Sequence, residues 1–412
     1  MSNTKQILYI SYDGMTDPLG QSQVLPYIAG LSKHGYQFTL LSCEKPEAYK
    51  INKEVIETIC KQNNIDWQPA FYTKKPPVLS TIKDIRALSK KAFQLHNQKQ
   101  FAMVHCRSYL ASLIGLKLKQ KFGVKFLFDM RGFWIDERLD GNQWNFKNPI
   151  YKIVYRYFKK KEKQFLENAD HTICLTYAAR EEMFKWKHIE KDPLDIAVIP
   201  CCADAAHFDP AKIDPQQKQQ LQHALGIQQN EFVLSYLGGL GLWYMLSEML
   251  DFFKVLLEFK PDAKFLIVTA NDNKQIWDAA AEKNIPAERI VVRKALRKEV
   301  PLYVSLSTLT IYFIKPTYSK MSSSLTKQGE IMAMGIPAIT NLDRGDTASI
   351  VEKYDSGIVV NDFSTEAYKN AILNYLNRSF DHNKIREGAL DYFDLSKGIT
   401  KYNSIYKILL SA

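Results

Sequence analysis

The segment Tyr318-Ser-Lys-Met-Ser-Ser-Ser-Leu-Thr-Lys-Gln-Gly-Glu-Ile-Met-Ala-Met-Gly-Ile-Pro-Ala-Ile-Thr340 concentrates residue types that handle anions. Its spacing predicts a small polar loop leading into a helix from about Leu325 to Met334, with Gly335 as a left-handed cap and Pro337 preventing continuation. The first-turn amides of a helix have no partner within it. With Ser322, Ser323 and Ser324 they would form an anion-binding helix start, and Lys320 and Lys327 add positive charge beside it. Glu330 falls inside the helix, where a carboxylate can accept two hydrogen bonds from a vicinal diol such as a ribose. A serine-rich cap on a core helix with surface lysines would use the same letters.

A second constellation, Phe128-Asp-Met-Arg-Gly-Phe-Trp-Ile-Asp-Glu-Arg138, follows the apolar run Val124 to Phe128 as a charged, aromatic loop. Arg131 could hold a phosphate, Trp134 could pack or bind, and Asp136 or Glu137 could orient an acceptor hydroxyl or receive its proton. The competing reading is a structural salt-bridge cluster of Asp129, Arg131, Asp136 and Arg138. His105 and Arg107 form a similar pair after the preceding apolar run. Gly20 permits backbone to approach a phosphate closely, and a helix from Gln21 would point its N-terminus at the same place, although any tight strand-to-helix turn also uses such a glycine. Gly239, in Gly238-Gly-Leu-Gly-Leu-Trp-Tyr244, admits the same two readings.

These residues need a scaffold, and the chain supplies one by alternation. Strands are expected at 6 to 12, 37 to 42, 65 to 71, 101 to 105, 124 to 129, 170 to 176 and 194 to 199, with helical patterns between them. A polar, glutamine-rich stretch follows to Gln229, and strands restart at 231 to 237, 264 to 269, 289 to 292, 308 to 313, 337 to 340 and 357 to 360. Continuous apolar runs separated by helix-length segments indicate parallel strands joined by crossover helices. The expected architecture is α/β, with two Rossmann-like doubly wound domains, 1–205 and 206–381, and a cleft between them as the default ligand site. The stretch 382–412 is read as helical, able to pack across the domain interface or to cap the second domain.

Taken in order, these motifs resemble the retaining GT-B glycosyltransferases of family 4 (glycosyl transferases group 1), of the bacterial surface-polysaccharide type. In that family a small-residue loop with Pro-Thr-Lys precedes a helix carrying Glu and ending Met-Ala-x-Gly-x-Pro. Asp17-Pro-Leu-Gly-Gln-Ser-Gln-Val24, the stretch from Phe128 to Arg138, and Val198-Ile-Pro-Cys-Cys-Ala-Asp204 extend the likeness over essentially the whole chain. The resemblance implies a GT-B fold with domains facing across a cleft. It implies that Glu330 holds a nucleotide ribose, that Lys320 and Lys327 neutralise the diphosphate, and that the loop from Ser322 to Ser324 holds the donor sugar. It also puts Asp129 where related enzymes place a polar residue facing the sugar's reactive carbon, so that Asp129, Arg131 and Lys327 form the catalytic set. Gly20, Gln21, Gly239 and Arg297 join the donor side, and His105, Arg107, Trp134, Asp136 and Glu137 the acceptor side. No metal or other cofactor is expected, since the nucleotide-sugar is a substrate. Two departures stand out. The family's second glutamate, eight residues before Glu330, is Ser322 here, and the Arg and Lys that many members carry after the first strand of the second domain are missing from Gly238 to Tyr244. Lys320, Lys327 and Arg297 are the candidates to replace those cations.

Composition fits this picture. The 412 residues suffice for two domains at roughly 100 to 200 residues each, and a content of 46% hydrophobic and 24% charged residues excludes disorder and low complexity. The net charge of +11 is uneven: residues 1 to 205 hold 31 Lys/Arg against 21 Asp/Glu, and the remainder 24 against 23. The first half is therefore expected to face a polyanion. Tyr151-Lys-Ile-Val-Tyr-Arg-Tyr-Phe-Lys-Lys-Lys-Glu-Lys-Gln-Phe165 and Lys74-Lys-Pro-Pro-Val-Leu79 suit anionic lipid headgroups, or else form a core helix with a solvated face and a surface loop. No nucleic-acid recognition motif accompanies the charge, so nucleic acid is not an expected partner. No apolar run approaches the roughly 18 to 20 residues that span a bilayer, and no signal core follows Met1. The expected place is the cytoplasm, peripheral on the inner face of the plasma membrane. The six cysteines, with no C-x-x-C pair, read as reduced, buried small hydrophobes. The expected activity is transfer of a sugar from a nucleotide-sugar donor to the hydroxyl of a lipid-linked or saccharide acceptor. A nucleotide-sugar epimerase of the same fold, or a non-catalytic nucleotide-sugar or membrane-surface binding protein, is the alternative.

Overall fold

In the computed structural model, which describes residues 5–411, the apolar runs form two parallel sheets. The first contains β1 (Lys5–Ser11), β2 (Tyr36–Glu44), β3 (Asp66–Phe71), β4 (Met103–Arg107), β5 (Lys125–Asp129), β6 (His171–Cys174) and β7 (Ile196–Val198), in the order β3-β2-β1-β4-β5-β6-β7. The second contains β8 (Val233–Leu237), β9 (Lys264–Val268), β10 (Ile290–Arg293), β11 (Leu309–Tyr312), β12 (Ala338–Asn341) and β13 (Gly357–Val360), in the order β10-β9-β8-β11-β12-β13. Each sheet reverses its winding once, between β1 and β4 and between β8 and β11. The carboxyl ends of the strands at such a switch are where open α/β sheets bind ligands. Every strand expected from sequence appears, and most are apolar runs covered on both faces, the edge strand β3 being partly exposed along its length. Ile7, Leu8 and Ile10 of β1 and Phe265, Leu266 and Ile267 of β9, for example, are fully buried.

The chain divides into two compact units. The first comprises the chain through Pro200 together with the segment from Leu395 onward, and the second runs from Cys201 to Asp394. The helical stretch beyond residue 381 is thus shared. Helix His382–Tyr392 buries Ile385 and Ala389 in the second unit, packing on helix Thr326–Ala333. Helix Leu395–Ser411 buries Tyr402, Ile405, Tyr406 and Leu409 in the first, packing on helix Leu25–Ser32.

Two local differences bear on the site. The helix expected from Gln21 begins earlier, at Pro18, and breaks at Val24 because Pro26 has no N–H to continue the ladder. Gly20 therefore lies within helix Pro18–Gln23, and a Cβ there would sit 2.2 Å from the Gly14 carbonyl oxygen. Its missing side chain is needed by the protein's own backbone, the tight-turn use of such a glycine. Gln21 is exposed, and its Nε2 donates to the Thr16 carbonyl at 3.1 Å. The second difference is that the latter half of the expected loop from Asp129 to Arg138 is helical, Trp134–Asp140, with Asp136 and Glu137 in its first turn where the helix dipole favours them.

Candidate active site

In the second unit, helix Thr326–Ala333 begins after Leu325, whose side chain cannot cap it; the Gln328 N–H bonds to the Leu325 carbonyl at 3.1 Å, and the amides of Thr326 and Lys327 remain for an outside acceptor. Gly335 (φ 70°) takes the left-handed conformation expected of it. Lys327 lies in the first turn and is only 8% exposed. Its Nζ donates to the Tyr236 hydroxyl at 2.9 Å and sits 3.6 Å from the Tyr244 ring centroid and 4.2 Å from that of Tyr236. The turn after β8 closes on this group. Gly238 has φ +120°, which favours glycine, and a Cβ there would come within 2.9 Å of the Lys327 Nζ and push the end of the lysine aside. The Gly239 carbonyl accepts from the Tyr236 hydroxyl at 2.6 Å. Burial pulls the Lys327 ammonium well below the usual lysine range, with Glu330 one turn along opposing.

Glu330 is 5% exposed, and burial pushes its carboxyl up while Arg297, Lys327 and His207 act in the other direction. Arg297 pairs with its Oε1 and lies 4.9 Å over the Phe208 ring. The structure thus engages Arg297 with the carboxylate expected to hold a ribose, because a buried carboxylate needs a counter-charge. Lys320, 7% exposed, places its Nζ 3.8 Å from the Trp243 ring centroid. The serine triplet behaves less uniformly than its letters suggest. The Ser322 hydroxyl donates to the Ser319 carbonyl at 2.8 Å, and the Ser324 Oγ accepts from the Cys201 N–H at 3.0 Å. Two of the three hydroxyls are therefore engaged by the protein itself. Sequence reasoning assigned no role to Tyr236, Trp243 or Tyr244. The aromatic pair directly after the glycine-rich turn was the available signal.

In the first unit, strand register does the gathering: Ser11 pairs with Arg107, and Arg107 with Asp129, at the carboxyl edge of the sheet. Asp129 is 1% exposed. Its Oδ2 accepts from the Tyr402 hydroxyl at 3.0 Å and lies 3.3 Å from the His105 Nε2, while the Arg131 Nη1 is 3.8 Å from Oδ1. His105 Nδ1 is hydrogen bonded to the Tyr406 hydroxyl at 2.6 Å, and Arg107 Nε donates to Asp13 at 3.3 Å. Burial resists ionisation of Asp129, yet Arg131, His105 and Arg107 bring its carboxyl down to about 2. Burial also holds His105 below its ordinary range, with the Asp129 carboxylate opposing. Arg131 adopts φ 65°, a left-handed conformation that costs of order 1 kcal/mol in a non-glycine residue.

His105, Arg107, Asp129 and Arg131 are thus brought together, and Asp136 is not with them. It accepts from the Tyr155 hydroxyl at 2.9 Å and from Lys159 at 3.3 Å, and Lys159 also pairs with the buried Glu162. Arg138 lies 5.2 Å over the Trp134 ring, and Trp134 packs edge-on against Phe158 and Trp144. The single salt-bridge cluster considered for Asp129, Arg131, Asp136 and Arg138 is therefore divided, Asp129 beside Arg131, Asp136 with Lys159 and Arg138 over Trp134. Glu137 stays partly exposed. Among the described residues, no group of three or more His, Cys, Asp or Glu side chains is placed to hold a metal ion.

A profile for Glycosyltransferase Family 4 matches residues 22–207, and one for Glycosyl transferases group 1 matches residues 217–391, together most of the chain. The chain belongs to the GT-B glycosyltransferases of family 4, group 1. Solved structures of similar fold include sucrose-phosphate synthase from Thermosynechococcus elongatus, at 15% identity, TM-score 0.75 and 99% coverage of both chains. Another is HepE of Anabaena in complex with UDP-glucose, at 14% identity, TM-score 0.71 and coverage of 98% of this chain and 99% of that one. A third is WaaG, a glycosyltransferase involved in lipopolysaccharide biosynthesis, at 12% identity, TM-score 0.67 and coverage of 97% and 99%. A search of curated proteins returned no match.

In this glycosyltransferase the clusters of the two units differ in kind. The second unit offers desolvated cations and helix-start amides, groups that stabilise negative charge. The first offers a low-lying carboxylate held by hydroxyl, imidazole and guanidinium. All six cysteines of the transferase are buried and outside any disulfide, as expected. Among the described residues, no helix is long and apolar enough to cross a membrane.

Proposed function

We propose that this glycosyltransferase moves a sugar from a nucleotide-sugar donor to an acceptor hydroxyl with retention of configuration, in the assembly of a surface polysaccharide or glycolipid. The observation that carries the reading is Lys327, a buried cation closed in by the Gly238–Gly239 turn and one helical turn from the buried carboxylate of Glu330. A phosphate beside a diol fits that pair. As the glycosidic bond breaks, negative charge grows on the leaving diphosphate. Lys327, Lys320 and the first-turn amides are fixed before that charge appears, so they stabilise the transition state more than the ground state. These groups supply the positive charge in place of a metal. The departing phosphate oxygen then takes the proton of the acceptor hydroxyl as that oxygen attacks from the same face. A thermal-shift screen against nucleoside diphosphates tests the reading. One of UDP, GDP or ADP is expected to raise the melting temperature, by about 2.7 kcal/mol of added stability at a hundredfold excess over Kd. No shift with any of them sinks the donor assignment.

We further propose that the first unit rests on an anionic lipid surface at the cytoplasmic face of the plasma membrane, where a lipid-linked acceptor would be met. Counted by unit, the charge is more polarised than the sequence halves indicated: the first holds 34 Lys/Arg against 20 Asp/Glu, and the second 21 against 24. Helix Pro149–Asn168 exposes Ile150, Ile153 and Tyr157 beside Lys152, Arg156 and Lys160. Lys159, counted with that basic face in sequence, is turned inward to Asp136 and Glu162. Changing Lys152, Arg156 and Lys160 together to Glu is expected to weaken cosedimentation with phosphatidylserine vesicles at least about a hundredfold, at about 1 kcal/mol for each cation removed. Unchanged vesicle binding would mean that this face is merely solvated.

A further inference from the structure

We propose that Trp243 and Tyr244 are positioning residues of the donor site, whose ring faces orient the ammonium groups of Lys320 and Lys327 for a diphosphate, the Tyr244 face without neutralising Lys327. The inference rests on the donor-site reading above and says how this chain manages without the Arg and Lys missing from Gly238 to Tyr244.

A lysine as buried as Lys327 ordinarily has a carboxylate in contact. Among the described residues Lys327 has no carboxylate within ion-pair distance, and the Oε1 of Glu330, one turn along, is engaged by Arg297. What surrounds Nζ is aromatic: Tyr244 at 3.6 Å, Tyr236 at 4.2 Å, and the Tyr236 hydroxyl as its hydrogen-bond acceptor. The Lys320 Nζ also lies over a ring of this segment, 3.8 Å from the Trp243 centroid. An aromatic face attracts a cation through its quadrupole yet carries no net charge. A carboxylate in the same place would cancel the ammonium and compete with the incoming phosphate. A ring fixes the cation and leaves its charge unspent.

The rings are themselves held in place. Tyr244 bridges to Ile314, the Met245 N–H donates to the Phe313 carbonyl at 3.1 Å, and the Lys315 N–H donates to the Trp243 carbonyl at 3.0 Å. The segment carrying the rings is thus tied to the end of β11, which leads into the turn bearing Lys320. In place of cations, the segment after β8 contributes the surfaces that orient cations from another loop.

The groups facing Lys327 are Glu330 on its own helix, with Arg297 paired to it, and Tyr236 and Tyr244 from β8 and the turn beyond. An ammonium must be protonated to bind phosphate. Burial already lowers the Lys327 proton affinity, and loss of a ring face lowers it further, so affinity for an anion should fail at a lower pH.

The test is titration of the full chain with UDP, GDP and ADP from mildly acidic to mildly alkaline pH, comparing wild type with Y244L, Y244F and W243L. W277L, in the surface helix Lys274–Glu282, is the control for loss of an aromatic residue. Trp243 and Tyr244 are only half-buried, and unfolding curves check that the variants fold. Y244L and W243L are each expected to weaken the best-bound nucleotide about tenfold at neutral pH. In Y244L the loss should grow as pH rises, whereas Y244F and W277L should bind like wild type. Affinity of Y244L within about twofold of wild type across the range overturns the proposal. So does equal weakening in Y244F, which would assign the effect to the hydroxyl. A wild type that binds none of the three nucleotides fails at the donor-site reading itself, and the ring proposal falls with it.

Discussion

Replacing Lys327 with Met is expected to lower kcat/KM for sugar transfer by about a hundred- to a thousandfold, the range typical for removing one preorganised electrostatic group from an active site. The same change is expected to make the protein slightly more stable, by about 1 kcal/mol. The two effects share one cause. Lys327 is desolvated with no carboxylate in contact among the described residues, so the folded protein holds a charge that burial disfavours. Methionine matches the length of the aliphatic stem and packs against Tyr236 and Tyr244 without that penalty. The Tyr236 hydroxyl keeps its bond to the Gly239 carbonyl, so the turn after β8 stays closed. What is lost is the positive charge needed when the leaving diphosphate becomes most negative. Initial rates of nucleoside diphosphate release, with thermal unfolding of the same preparations, check both halves. Turnover within about threefold of wild type would remove Lys327 from the reaction.

Asp129→Ala should act on stability first, lowering it by about 3 kcal/mol or more. The carboxylate accepts from the Tyr402 hydroxyl and His105 and balances Arg131, all in the interior of the first unit. Truncation leaves the Tyr402 hydroxyl without its acceptor and takes the counter-charge from beside Arg131, whereas Asp129→Asn keeps an acceptor for Tyr402 and should lose less. The acid dependence follows from the carboxyl's value of about 2 in the folded protein against roughly 4 when unfolded. A group depressed in this way contributes fully above pH of about 4, and its contribution fades as pH falls toward 2. Denaturant unfolding of wild type and Asp129→Asn at neutral and acidic pH should show the gap between them closing in that window. A loss in Asp129→Ala below about 1 kcal/mol would mean the cluster adds nothing beyond an ordinary surface interaction.

Most strands were legible as continuous apolar runs between turn signals, buried on both faces with no polar alternation to confuse with a helix, whereas β3 is a mixed, partly exposed edge strand. The donor helix was legible for local reasons too, with small polar residues before it and glycine and proline after it. The Asp129 cluster was not. It depends on the β4–β5 register and on two tyrosines 273 and 301 residues away in sequence from the groups they contact. Nor was the phase of helix Leu395–Ser411, which turns Tyr402 and Tyr406 in and leaves Ile408 65% exposed. Partner choice among charges was equally hidden. Asp136 and Asp129 lie seven positions apart in sequence yet serve different cations, because the helix Trp134–Asp140 rotates one of them toward Lys159.

The return of helix Leu395–Ser411 to the first unit sets an order of events during synthesis. Domains generally fold as units, the N-terminal one first, as they emerge from the ribosome. Here the β1–β7 sheet emerges early with Asp129 and His105 still lacking their tyrosine partners. The second unit is complete at Asp394, before either tyrosine appears. The first unit to be made is therefore the last to be finished, and its polar interior stays open to water until the whole second unit has been translated.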